Sequence, residues 1–359
     1  MPRCLALLPM LVLLAIAPAA EAIKGGADAP QQPQLVSISI DDGVGGASSH
    51  SCGGVIRDAT HVLTAAHCLL HRDEPRLMVP SSQLLVIAGD RDLNGVAPGR
   101  QVVRVAEQAL DPRFTWAVRK WDVALLTLAT PLALGPAVQA ASLPAAGALE
   151  ASTAVQLQGW GLLRTASDPP GPTTTLRMQQ TPGTMLARAS CGGSDPASQD
   201  VVCVTSSATA GVCAGDSGTG LLVGGTAYGV MSIGSANCTS TAYYTRLAEP
   251  SIHAFAAGTP AAWPEPRRYP AASGLPVVGQ PYPCDPGDWT GAPTLAVGWD
   301  LVTRGAPTVR IAEGATYTPS ASDVGKSLRC VVTATGAGGT ATVRTLAVQV
   351  APATVLPPG

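Results

Sequence analysis

The stretch Cys213-Ala214-Gly215-Asp216-Ser217-Gly218 sets a serine on what reads as a tight turn between glycines. A serine held this way presents its hydroxyl and leaves neighbouring backbone N–H groups aimed at one point. That is the geometry of a nucleophile beside an oxyanion hole. Alone, such a string is a common loop; two other stretches give it meaning. Thr64-Ala65-Ala66-His67-Cys68 follows the apolar pair Val62-Leu63, which sets His67 just past a strand. Asp122 opens the apolar run 123–128, where a carboxylate is held at a strand mouth. A serine hydroxyl is a poor nucleophile until a histidine accepts its proton, and the histidine needs a carboxylate to fix its tautomer. His67, Asp122 and Ser217 supply those groups in that order, each at the end of an apolar element.

Around this set, residues 23–257 read as short apolar runs between turns, among them 34–40, 84–88, 102–105, 123–128 and 155–157. Such spacing predicts an all-β sandwich or barrel. Residues 247–257, just before Gly258, are the best helical candidate. Residues 258–274 carry Pro260, Pro264, Pro266 and Pro270, and proline at that density predicts a stiff, extended spacer between domains. Residues 275–350 form a second unit with strands at 328–333 and 341–350, and residues 351–359 read as a disordered tail. The chain has 359 residues, and roughly 150 residues per domain allows about two domains with chain left over.

Composition narrows the function. Charged residues are 13% and hydrophobic residues 46%, which excludes general disorder. The 22 Lys and Arg balance 24 Asp and Glu, so no electrostatic footprint for nucleic acid or anionic lipid exists. An Ala- and Arg-rich, Lys-poor composition points to a GC-rich bacterial source. Residues 1–22 read as a secretory signal peptide: Arg3, the apolar run 5–17, and the small-x-small site Ala20-Glu21-Ala22. No later stretch is long and apolar enough to span a bilayer. Beyond the signal lie Cys52, Cys68, Cys191, Cys203, Cys213, Cys238, Cys284 and Cys330. An even count in an exported chain predicts disulfides, with connectivity left open. No Cys-x-x-Cys pair occurs, so no metal and no cofactor are expected.

The strings Ile23-Lys24-Gly25-Gly26, Cys52-Gly53-Gly54, Thr64 to Cys68, Asp122 to Leu126, Gly159-Trp160-Gly161, Cys213 to Gly218 and Tyr244-Thr245-Arg246-Leu247 stand in the order of one family. Residues 23–257 resemble a trypsin/chymotrypsin-like serine peptidase. The resemblance implies two six-stranded β-barrels with the site between them. It implies His67 as general base, Asp122 as its orienting acid, Ser217 as nucleophile, and the N–H groups of Gly215 and Ser217 as oxyanion hole. It implies the pairs Cys52–Cys68, Cys191–Cys203 and Cys213–Cys238. His50, His61, His71 and His253 are read as surface or loop residues. Thr219-Gly220 stands where the family usually has Gly-Pro, and Lys24 where it has an apolar residue. The loop 90–101 lacks the paired glutamates that bind calcium in some relatives, and Asp90 and Asp92 are read as solvated turn residues.

By the same alignment, Gly211 lies at the base of the specificity pocket, with Ser232, Gly234 and Ala242 as walls; a one-residue shift would substitute Thr241. A pocket without a carboxylate disfavours a buried cation, so cleavage after apolar residues is expected. In the family, a freed Ile or Val amino group pairs with the acid before the nucleophile. Here those residues are Ile23 and Asp216, and signal cleavage after Ala22 would free Ile23 directly. The rival is cleavage after Ala20. Residues 275–350 resemble bacterial immunoglobulin-like modules, on Pro286 to Gly291, Ala315-Thr316-Tyr317, Asp323 to Lys326 and the order Cys284, Trp299, Cys330. A secreted, monomeric serine endopeptidase acting on proteins or peptides is the leading expectation. A cell-envelope ligand for the second unit, and a silent or matrix-binding protein acting through it, are the competing ones.

Overall fold

The computed structural model describes residues 23–41, 49–71, 78–148, 150–171, 173–191 and 199–353. The expected signal peptide and residues 354–359 of the expected tail lie outside them. Six antiparallel strands close a barrel in the order Leu35–Ile40, Ser49–Asp58, His61–Thr64, Ala124–Leu128, Gln101–Leu110 and Leu84–Ala88, which pairs back with the first. Gln101–Leu110 shows why: Val103 and Val105 point inward while Val102 and Arg104 face out, the alternation of a half-buried strand. Ile38, Ile56, Leu63, Leu84 and Leu126 fill the interior.

The second body is an open sheet, where a closed six-stranded barrel was expected. Its order is Ala27–Asp28, Gln179–Met185, Val201–Thr205, Thr241–Arg246, Thr226–Gly234 and Gly220–Val223, with Thr153–Gly159 added on Gln179–Met185. Thr153–Gly159 and Gly220–Val223 lie side by side, yet no ladder joins them. Gly220–Val223 is four residues long and shifts register between Leu221 and Leu222. A strand that short, bent by a bulge, keeps too few aligned backbone groups to zip the seam. The helix Pro250–Ala257 starts with Pro250 at its first turn and the Glu249 carboxylate accepting from Ile252 N, and Gly258 ends it. The disulfides join Cys52–Cys68, Cys191–Cys203, Cys213–Cys238 and Cys284–Cys330.

The C-terminal unit is built on the sheet Val309–Glu313, Thr294–Val302, Ser327–Gly336, Gly339–Arg344, with Val348–Gln349 also on Ser327–Gly336. Trp299 is fully buried between Tyr282 and Tyr317, beside the Cys284–Cys330 disulfide, and its indole N–H donates to Gly314 O. Ala351, expected in the disordered tail, bridges to Val277.

The proline-rich segment differs most from its expectation. Trp263 N donates to Gln108 O on the barrel, and the ring joins the barrel's apolar cluster. The Glu265 carboxylate accepts from Ser81 N at 3.0 Å, Ser81 Oγ at 2.6 Å and the Gln108 side-chain amide. On the other side Thr290 N donates to Glu265 O, and Pro266–Arg268 pairs with Asp288–Trp289. The prolines do forbid helix, but the extended chain they produce is glued to both neighbours. Gly339 lies under the Trp263 ring, where a Cβ would come within 2.5 Å of it.

Candidate active site

His67 sits in a short 3-10 turn, Ala66–Leu69, directly after the strand His61–Thr64. Asp122 lies just before the neighbouring strand Ala124–Leu128, and pairing of these two strands brings the residues together. His67 Nδ1 is 2.6 Å from Asp122 Oδ2, and His67 N donates to Asp122 Oδ1 at 2.9 Å. Ser232 Oγ donates to Asp122 Oδ2 at 2.5 Å. Burial alone would push the Asp122 carboxyl up. The charge and hydrogen bonds of His67, together with the Ser232 hydroxyl, outweigh that and hold it below the ordinary carboxylate value. A carboxylate only accepts, so Nδ1 carries a proton and Nε2 is the ring nitrogen left to exchange one.

Ser217 reaches this region through the backbone. Gly53 N donates to Ser217 O at 2.7 Å, and Cys52 beside it is bonded to Cys68, the neighbour of His67. The turn is held from below by Asp216, fully buried, whose carboxylate accepts from Gly161 N and Cys213 N, each at 2.8 Å. Gly159 and Gly161 leave the space this carboxylate needs, since a Cβ at either would come within 2.1 or 2.6 Å of it. Burial pushes the Asp216 carboxyl up to about 7, against the pull of its two N–H donors. Ile23 is fully buried with Val155, Leu157 and Val212, and Gly211 N donates to Lys24 O. Lys24 Nζ bonds Asp168 at 2.7 Å and Asn237 O at 3.0 Å, which gives this cation its place.

Several residues escaped the sequence reading. His50, expected at the surface, is a half-buried strut of the turn: Nε2 lies 2.9 Å from Gly215 O and Nδ1 2.7 Å from Ser37 Oγ. Gly215 O only accepts, so the proton is on Nε2 and Ser37 donates to Nδ1. Burial pushes the His50 imidazole down to about 4, keeping it neutral. No local signal marks His50, because Ser37 and Gly215 are distant in sequence. Ser232, expected as a pocket wall, also turns its hydroxyl to Asp122. The Ser232 carbonyl accepts from Arg119, whose guanidinium lies 5.4 Å from the Trp116 ring; that ring stands edge-on to His67.

A Cβ on Gly211 would meet Ser206 Oγ, Cys238 O and Thr239 Cα, so this position is closely walled and carries no charge. Gly234 faces Val212 and pairs with Ala242, which is buried in the second body's apolar cluster. Asp90, expected as a solvated turn residue, is buried; it accepts from Asp92 N and Ala97 N. Arg100 Nη1 lies on Asp90 Oδ2 and on the carbonyls of Leu93 and Gly95. The loop's inward oxygens therefore already surround a guanidinium, and the donor set does not fit a calcium ion. Cys52, His67 and Cys68 also converge, but the sulfurs are bonded to each other and offer no thiolate.

Residues 23–252 match the Trypsin family model. The chain belongs to the trypsin family. Serine protease 57 of Rattus norvegicus is 30% identical over 213 residues, 58% of this chain and 70% of the relative. Trypsin iota of Drosophila melanogaster is 30% identical over 238 residues, 63% of this chain and 85% of the relative. Among solved structures, the human heparin binding protein superposes with a TM-score of 0.53 at 27% identity, covering 66% of this chain and 96% of that one. These relatives make the trypsin-family domain a serine endopeptidase.

Proposed function

We propose that the protein is an exported endopeptidase in which His67, Asp122 and Ser217 act as one catalytic unit. The supporting observation is the His67–Asp122 pair at 2.6 Å, with its acid buried and further held by Ser232. Nε2 takes the Ser217 Oγ proton as the oxygen attacks the substrate carbonyl. The N–H groups of Gly215 and Ser217 receive the resulting oxyanion. The proton passes to the leaving amine, and water, activated by the same Nε2, releases the acyl group. Ser217→Ala is expected to lower kcat by about 10⁴-fold or more without changing the circular dichroism spectrum. Hydrolysis near the wild-type rate would remove Ser217 from the role.

Activation follows from Asp216. Its buried carboxylate has two N–H donors and no cation among the described residues. An ammonium freed at Ile23 would supply the charge, with Lys24 pinned to Asp168 beside it. Cleavage after Ala22 creates that amine, and N-terminal sequencing of active protein checks it. The uncharged, walled position of Gly211 favours cleavage after Phe, Tyr, Leu or Met. Matched Phe and Arg substrates are expected to differ by at least about tenfold in kcat/KM. The C-terminal unit, with its tryptophan beside a disulfide, is read as an immunoglobulin-like module.

A further inference from the structure

Between the closed barrel and the C-terminal unit runs a cavity of about 1780 Å³. Trp116, the ring that stands edge-on to His67, lines one end of it. The barrel contributes Met78, Leu110 and Phe114. The facing wall is the strand Gly339–Arg344, which ends its sheet. Residues 339–345 line the cavity without a gap. A strand sends alternate side chains to opposite faces, so consecutive residues meet one space only where its edge faces that space. The cavity is therefore bounded by a row of backbone N–H and C=O groups that have no neighbouring strand.

The lining carries Arg267, Arg329 and Arg344 against Asp111 and Glu265. Arg267 is exposed, and among the described residues no carboxylate lies within 4 Å of its guanidinium. Arg329 and Arg344 share Asp300, at 3.4 and 3.8 Å, and Arg310 holds that carboxylate more closely at 2.8 Å. Asp111 is buried on Arg113, and the Glu265 carboxylate is turned to the barrel, where the neutral Ser81 and Gln108 donate to it.

We infer that this cavity is a second substrate-binding site, which takes an extended, acidic segment of the polypeptide being cleaved and adds it as a strand to the Gly339–Arg344 edge. The inference rests on the endopeptidase reading. Backbone pairing holds the segment, and Arg267 and Arg344 select its charge. Its chemistry is binding alone; the scissile bond stays at Ser217.

One peptide sequence cleaved by the full-length enzyme is compared bare, with a Glu-rich extension, and with a Lys-rich extension, each on either side of the scissile bond. The Glu extension, on one side only, is expected to lower KM about tenfold, equal to about 1.4 kcal/mol, with kcat unchanged. Arg267→Glu combined with Arg344→Gln removes that gain and leaves kcat/KM for the bare peptide intact, which also shows that the variant folds. No gain from either Glu extension, an equal gain from Lys, or a gain that survives in the double variant would overturn the inference. Should the bare peptide resist cleavage by the wild type, the endopeptidase reading fails instead. Fluorescence anisotropy of the labelled Glu peptide on full-length Ser217→Ala protein then decides the cavity by itself: binding weakened by the double variant supports it, and absence of binding sinks it.

Discussion

At the scale of single residues, the site divides into groups that announce themselves and groups that do not. His67, Asp122 and Ser217 stand in local strings that can be recognised together, because each opens or closes an apolar element and the three occur in one order. His50 and Ser232 act through residues more than a hundred positions away, Gly215 and Asp122, so only the folded chain shows their use. His50→Ala takes a partner from the half-buried Gly215 carbonyl and from the buried Ser37 hydroxyl, at a cost of about 1–3 kcal/mol. With Gly215 in the oxyanion role proposed above, a loosened turn is expected to lower kcat about ten- to hundredfold with little change in KM; steady-state kinetics on a short peptide checks this. The lowered value of His50, about 4 against 6.5, fixes a sign. Its contribution to stability is complete above 6.5 and is lost as the pH falls through about 4. Asp216 runs the other way. In protein whose Ile23 amine is not free, its carboxyl favours the folded state below 3.8 and loses that contribution as the pH rises through about 7. Between pH 4 and 6.5 the two contributions oppose one another, so the thermal midpoint of the Ser217→Ala protein should change little there, and freeing Ile23 or introducing Asp216→Asn should turn it into a rise with pH.

At the scale of elements, alternation carried most of the reading. The strands Leu35–Ile40, Leu84–Ala88 and Ala124–Leu128 fall within a residue of their apolar runs, and the helix is marked by its proline and glycine. Closure of the second body was not legible, because it depends on whether Gly220–Val223 meets Thr153–Gly159 in register, a property of two distant strands. The loop after Ala88 was misjudged for a related reason. Asp90 looks like any turn acid until Arg100 folds back over it. Arg100→Gln removes the guanidinium from the Gly95 and Leu93 carbonyls and should lower the thermal midpoint by about 4 °C or more, equivalent to about 1–2 kcal/mol. Added calcium should leave the midpoint of the wild type unchanged in differential scanning fluorimetry. A calcium-dependent rise would contradict the assignment of that space to Arg100.

At the scale of the molecule, the proline content of residues 258–274 suggested a stiff spacer between domains, but proline restricts a backbone without saying what it lies against. Trp263 and Glu265 lie against the barrel, and Thr290 and Gly339 lie against them. Glu265→Ala strips the acceptor from Ser81 and Gln108 and is expected to cost about 1–3 kcal/mol. A single unfolding transition should then separate into two in calorimetry. Deleting residues 260–359 should lower the melting point further while short-peptide hydrolysis persists, since none of His67, Asp122 and Ser217 touches the removed chain in the bonds described. The same clasp bears on how such a protein could be rearranged. Its exchangeable piece does not begin where the composition changes at Gly258. A foreign module joined there would leave Gln108 bare and the Trp263 seat vacant. A graft joined after residue 269 would inherit the enzyme's own collar, needing only a strand able to receive Pro266–Arg268 as Asp288–Trp289 does.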